Sequence, residues 1–173
     1  MKRSRVVLDM VWIGVYVALF IALDYISNQV PIFKMPNGGT IGFSTIVLLL
    51  ASYHLGWKKG VVVSLLTLPL QGFFAPFYFV NVFGFILEYV IAFGLYGLAS
   101  LFPTIHYKFE IMTGVIIVNG IRFIIHLVAG VYFWGITWWG SFVYNFGYMF
   151  MTLVVGLIFT PLIYKRIKII TNR

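Results

Sequence analysis

Between Val6 and Ser27 only Asp9 and Asp24 carry charge, and apolar stretches of the same kind recur along the whole chain. A helix rises about 1.5 Å per residue, so a run of about 20 apolar residues matches the hydrocarbon thickness of a bilayer. No water meets unpaired backbone groups in lipid. A helix, whose hydrogen bonds close within the segment, is therefore the structure such a run adopts. Hydrophobic residues make up 62% of the 173 positions, charged residues 9%, and the mean hydropathy is +1.02. A water-soluble domain does not carry such a balance. The chain is expected to form one compact domain over residues 1–173, embedded in lipid.

Turn signals divide the sequence into six expected spans. The first covers about Val6 to Ser27, after which Pro31, Pro36 and Gly38-Gly39 break the helix and form an outer loop. The second covers about Ile41 to Leu55, and Gly56 to Gly60, with Lys58 and Lys59, form a tight turn. The third covers about Val61 to Phe74, and Pro69 inside it predicts a kinked or interrupted helix of the kind that lines a protein cavity. The fourth runs from about Val82 to Phe102, stopped by Pro103. The fifth runs from about Phe109 to Phe133, and the sixth from about Trp139 to Tyr164. The expected fold class is all-α: a polytopic membrane protein with six transmembrane helices in one bundle.

The net charge of +8 comes from basic residues beside the spans, so topology explains it better than nucleic-acid binding. A cytoplasmic N-terminus places Lys2, Arg3, Arg5, Lys58, Lys59, Lys108, Lys165, Arg166, Lys168 and Arg173 inside. It leaves Lys34 outside and Arg122 within the membrane. The expected location is the plasma membrane, multi-pass, with both termini cytoplasmic. The apolar run after Arg5 has no small-residue cleavage site and is expected to be a retained first helix. The absence of cysteine excludes disulfides, cysteine metal sites and thiol nucleophiles.

Ionisable groups inside a span are costly unless paired or hydrated, which directs attention to Glu88, Arg122 and His126. Counting the helical rise from the outer span ends puts Glu88 about 9 Å deep, His126 about 12 Å and Asn145 about 9 Å. Phe73, Phe74, Phe77, Tyr78, Phe79, Trp134, Trp138, Trp139, Tyr144 and Tyr148 crowd the same side, as an interfacial aromatic belt or as pocket walls. A carboxylate, an imidazole and aromatic faces at one depth suit a flat, cationic, hydrogen-bonding ligand. Two other readings stand beside this one: Glu88 forms a structural ion pair with Arg122, and His126 is a neutral core histidine. Arg122 and His126, four residues apart, share a helix face. Asp24 is expected at the interface. Gly14, Ala18 and Ala22 form a small-residue stripe that lets a helix approach, either within this chain or from a partner.

At these residues the sequence resembles the thiamin-specific substrate-binding (S) components of energy-coupling-factor (ECF) transporters. The likeness covers most of the chain. It runs through Leu23-Asp24, Met35-Pro36-Asn37-Gly38-Gly39-Thr40, Leu87-Glu88-Tyr89 with Ala92-Phe93 and Gly97-Leu98-Ala99, then Arg122-Phe123, His126, Gly130-Val131 and Phe133-Trp134, and ends in Tyr144-Asn145 with Tyr148-Met149. The resemblance implies that Glu88 binds the aminopyrimidine, that Tyr89, Tyr78, His126 and Asn145 line the pocket, and that Trp134 stacks on the ligand. It also implies a basic position at Arg122 and a face at Gly14 and Ala18 for docking onto a shared transmembrane coupling subunit. Two cytoplasmic ATPases complete the implied partners, since nothing here resembles a phosphate-binding glycine loop followed by lysine and serine or threonine.

The sequence departs from the family pattern at two places: the loop between Trp134 and Trp138 is shorter, and Gly140 stands where a pocket tyrosine is usual. Trp138 or Trp139 is expected to fill the space at Gly140; otherwise the pocket takes a thiamin precursor or another vitamin. Tyr144 and Tyr148 are further pocket candidates. Gly38-Gly39 and the Pro76 region are candidate lids. No cofactor, metal or nucleic acid is expected. An intramembrane enzyme with Glu88 and His126 as acid and base lacks a second carboxylate at that depth, because Asp9, Asp24 and Glu110 lie near span ends. A self-sufficient small transporter is the remaining alternative.

Overall fold

The structure, a computed structural model, describes residues 2–30, 34–35, 38–74, 76–106 and 110–171. Pro31, Pro36, Asn37, Lys108, Phe109 and Arg173, together with the side chains of Lys2 and Arg3, lie outside the described residues. The fold is mostly helical, built from α1 (Lys2–Gln29), α2 (Thr45–Leu55), α3 (Trp57–Phe74), α4 (Val82–Gly97), α5 (Thr113–Tyr132) and α6 (Trp138–Thr171). Within these, Arg5–Gln29, α5 and α6 are long and apolar enough to cross a membrane, while α2 and α4 are shorter apolar helices.

The burial pattern is that of a membrane protein. Val7, Met10, Val11, Val15 and Leu19 stand exposed along α1, whereas Ser52, Ser64, Thr67, Asn119 and Thr160 are buried. Exposed apolar surface on this scale calls for lipid or a partner helix to cover it. The helices approach closely through small residues. A Cβ on Gly97 would lie 2.3 Å from the Val61 backbone nitrogen, and one on Gly60 would lie 2.7 Å from Ser52 Cα. Such contacts replace the hydrophobic drive that helices lack in lipid. Ser52 Oγ adds a hydrogen bond to the Gly97 carbonyl at 2.7 Å, tying α2 to α4.

Several boundaries differ from those expected. Gly56, at φ +84°, reverses the chain in one residue, so α3 begins at Trp57 and carries Lys58 and Lys59 in its first turn. The fourth segment ends as a helix at Gly97, followed by a 3-10 turn over Ala99–Leu101. The fifth does not start at residue 109: an antiparallel hairpin, β1 (Thr104–His106) with β2 (Glu110–Met112), precedes α5. Thr-Ile-His alternates polar and apolar residues with the period of a strand, and Pro103 has already broken the helix. With the isolated bridge between Lys34 and Thr40, this strand pair is a departure from a purely α-helical chain. At the other end α6 continues past Tyr164 to Thr171, carrying Lys165, Arg166 and Lys168 on its last turns, where cations favour the negative end of the helix dipole.

The middle of α4 is a π-helix over Ile86–Ile91, flanked by α-helical turns Val82–Phe85 and Ala92–Gly97. Wide turns of this kind are uncommon and concentrate at functional sites. This one holds Glu88 and Tyr89.

Candidate functional site

All six helices, with the α1–α2, α3–α4 and α5–α6 loops, contribute to one cavity of about 500 Å3, within the usual range for a small-molecule site. Glu88 and Tyr89 reach it from the π-helical part of α4, and Arg122 and His126 from one face of α5. Trp134 comes from the α5–α6 loop, Tyr144, Asn145 and Tyr148 from the start of α6, and Tyr78 from the loop before α4. Each of the seven residues singled out as ligand-binding, together with Tyr144 and Tyr148, therefore lines the same space.

Glu88 is the centre of the polar network. Its side chain is 11% exposed; Trp134 Nε1 donates to Oε2 at 3.2 Å, and His126 Nδ1 lies 3.5 Å from Oε1. Arg122 Nε donates to His126 Nε2 at 3.3 Å. An arginine can only donate, so Nε2 accepts and the imidazole proton sits on Nδ1, facing Glu88. Glu88 and Arg122 are thus joined through the imidazole rather than as a direct ion pair. His126 lines the cavity, held between Glu88 of the neighbouring α4 and Arg122 of its own helix. The guanidinium is fixed from its other side by a 2.7 Å hydrogen bond to Tyr96 Oη and lies 5.1 Å from the centre of the Phe93 ring. Tyr96 Oη in turn donates to Asn119 Oδ1 at 2.9 Å.

On α6, Tyr148 Oη donates to Asn145 Oδ1 at 2.7 Å, and Asn145 Nδ2 donates to the Ser141 carbonyl at 2.9 Å. The amide is thereby oriented before any ligand arrives. Ser141 Oγ donates to the Leu127 carbonyl at 2.9 Å, locking α6 to α5 where Gly130 leaves room: a Cβ there would stand 2.2 Å from Ser141 Oγ.

Two loops meet over the cavity. Tyr89 Oη accepts from the Tyr78 amide at 2.9 Å and donates to its carbonyl at 3.2 Å, pinning that loop to α4. The Gly39 amide donates to Tyr144 Oη at 3.4 Å. Gly38, at φ +100°, lies so close beneath Tyr78 that a Cβ would come 2.3 Å from its ring. Only glycine combines that backbone conformation with that approach.

Of the ten aromatic candidates, Phe73, Phe74, Phe77, Phe79, Trp138 and Trp139 stand outside the cavity. Trp138 and Trp139, 52% and 72% exposed, do not line the cavity, so neither fills the space at Gly140. Trp139 instead stacks on Phe142, with ring centres 5.6 Å apart. Gly140 itself lines the cavity. Asp24 also departs from expectation. Expected near the outer end of its span, it is 6% exposed and lies on the cavity wall, joined there by Gln71 and Ser44. Its position four residues before Asn28 was the available signal, since the pair shares a helix face and Asn28 Nδ2 donates to Asp24 Oδ2 at 3.2 Å. The stripe at Gly14, Ala18 and Ala22 faces outward, with no atom within 4 Å of a Cβ built on Gly14.

The polar groups of this wall are held by one another around the cavity. Comparison with known proteins agrees with a transport role. The chain is 24% identical over 182 residues to "Thiamine transporter ThiT" of Bacillus subtilis (strain 168), an alignment covering 95% of this chain and 94% of the relative. The model of the family described as "Thiamine transporter protein (Thia_YuaJ)" matches residues 13–171, and the chain belongs to that family.

Proposed function

We propose that this protein is the high-affinity thiamin-binding subunit of an ECF-type vitamin importer, holding its ligand in the cavity bounded by Glu88, His126 and Trp134. As a member of a transporter family it is not an enzyme. The observation that carries the reading is the buried Glu88 carboxylate, facing the cavity between an indole and an imidazole. Its oxygens keep free lone pairs for the amino group of the aminopyrimidine, a charge-assisted bond stronger than a neutral one. The thiazolium ring lies against Trp134 by cation-π attraction, and the pre-oriented Asn145 adds a hydrogen bond. Tyr78 and Tyr89 close one side, Tyr144 and Tyr148 another, and Arg122 fixes the histidine.

In this reading the helices form a six-span bundle in the plasma membrane with both termini cytoplasmic, and the cavity opens toward the outer leaflet. The uncovered stripe at Gly14, Ala18 and Ala22 is the docking face for a transmembrane coupling subunit, through which two cytoplasmic ATPases supply the energy. The Gly38-Gly39 loop and the Pro76 region act as the lid.

Titration of thiamin into the detergent-purified protein, followed by tryptophan fluorescence, tests the ligand. Saturable quenching, weakened about 100-fold in Glu88→Gln, is the expected result, because the substitution removes the charge that makes the anchoring bond strong. Quenching by a thiamin precursor or another vitamin instead of thiamin overturns the substrate. Transport by the chain alone in liposomes overturns the partners.

A further inference from the structure

The described residues lining the cavity include three that carry formal charge, Arg122, Glu88 and Asp24, with His126 neutral in the tautomer its hydrogen bonds require. Arg122 and Glu88 offset each other across the imidazole. Asp24 has no cation among its hydrogen-bond partners, and Arg122 on the same wall acts on it only across the cavity. Oδ1 accepts from Ser44 Oγ at 3.1 Å, and Oδ2 accepts from Gln71 Nε2 at 2.9 Å and from Asn28 Nδ2 at 3.2 Å, all neutral donors. Three donors converging on two oxygens is the surrounding of an ionised carboxylate, which only accepts. Gln71 points the same way: its amide is turned to donate to Asp24 even though this leaves Oε1 buried without a partner. A buried charge that lacks a counter-ion is costly to retain. A site that retains one is complete only when a cation arrives.

We propose that Asp24 is the residue that makes this cavity select a cationic ligand, because the two carboxylates among the described lining residues outnumber the one arginine and Asp24 is the one with no cation or imidazole bonded to it. Glu88 recognises a hydrogen-bonding edge, whereas Asp24 recognises charge. The inference rests on the thiamin reading above and assigns to Asp24 the attraction for the permanently positive ring. Neutral donors suit this role, because they hold the carboxylate ionised without cancelling its field.

The test compares thiamin with its thiophene analogue, which has the same outline but a neutral ring, on the full-length protein in detergent by titration calorimetry. The wild-type protein is expected to prefer thiamin by about 10- to 100-fold, the scale of one charge pair in a partly desolvated site. In Asp24→Asn the preference is expected to fall below about threefold through loss of thiamin affinity, with the analogue binding nearly as before. Asp24→Glu, which keeps the charge, is expected to retain the preference. Asp24→Ser, smaller and neutral, carries the same expectation as Asp24→Asn should the asparagine not be accommodated. Equal weakening of both ligands by the neutral variants makes Asp24 a purely structural residue and overturns the inference while leaving the thiamin reading intact. Unchanged preference in those variants does the same. If the wild-type protein binds no thiamin, the ligand assignment falls, and this inference with it.

Discussion

Replacing Trp134 by Phe keeps an aromatic face on the cavity but removes the Nε1–H that donates to Glu88. Losing a hydrogen bond to a charged acceptor, together with the weaker quadrupole of phenylalanine, is expected to lower thiamin affinity about tenfold, read by titration calorimetry. Trp138→Phe provides the contrast. Trp138 lies outside the cavity, so its affinity is expected to stay within about twofold, in line with the small effect of changes at exposed sites. At this scale the sequence was informative where chemistry was unusual for its depth. Glu88, Arg122, His126 and Asn145 stood out because apolar spans do not carry such groups without a use. Asp24 was hidden by a boundary: the first helix runs on to Gln29, and Ser44 and Gln71 come in from other elements to bond the carboxylate, so a residue counted as interfacial is buried. The tryptophans at 138 and 139 illustrate the converse, since aromatic residues at a span end serve the interface as readily as a pocket, and spacing alone does not separate the two.

At the scale of elements, close approach through glycine is what packs the helices against one another. Gly97 sets α4 against the start of α3, and the atoms a Cβ would strike are backbone atoms of Gly60 and Val61, at 2.5 and 2.3 Å, which cannot rotate away. Gly97→Ala is expected to destabilise the protein by about 1–3 kcal/mol, the range for overpacking, and to lower its unfolding temperature in detergent. Gly14 is also a helical glycine, yet nothing lies within 4 Å of its Cβ position. Gly14→Leu is therefore expected to leave unfolding temperature and thiamin affinity unchanged while reducing co-purification with the coupling subunit. A loss of stability in this variant counts against the stripe as a docking face. Hydropathy and turn residues located the helical segments, but two features lay beyond them. The π-helix over Ile86–Ile91 has nothing in its composition that separates it from an α-helix. The hairpin at Thr104–His106 and Glu110–Met112 is too short for its alternation to outweigh the apolar residues on either side.

For the whole molecule the decisive quantity is orientation. The charge bias toward one side of the spans predicts a cytoplasmic N-terminus, with Lys58 inside and Lys34 outside. The native chain has no cysteine, so a single introduced thiol is free of background. Lys58 is exposed at the first turn of α3, and Lys34 is exposed in the loop paired with Thr40, so neither replacement disturbs the core. In intact cells a membrane-impermeant maleimide is expected to modify Lys34→Cys and spare Lys58→Cys, and opening the cells is expected to make both reactive. The reverse pattern inverts the protein and turns the mouth formed by Gly38 and Tyr78 toward the cytoplasm, a geometry for release rather than capture. Adding thiamin extends the same measurement to the lid. If the loop carrying Gly38 closes over a bound ligand, labelling at position 34 slows at saturating thiamin, and the concentration that halves the rate equals the dissociation constant found by fluorescence. A rate indifferent to thiamin assigns closure to the Tyr78 loop, which Tyr89 already ties to the helix that presents Glu88.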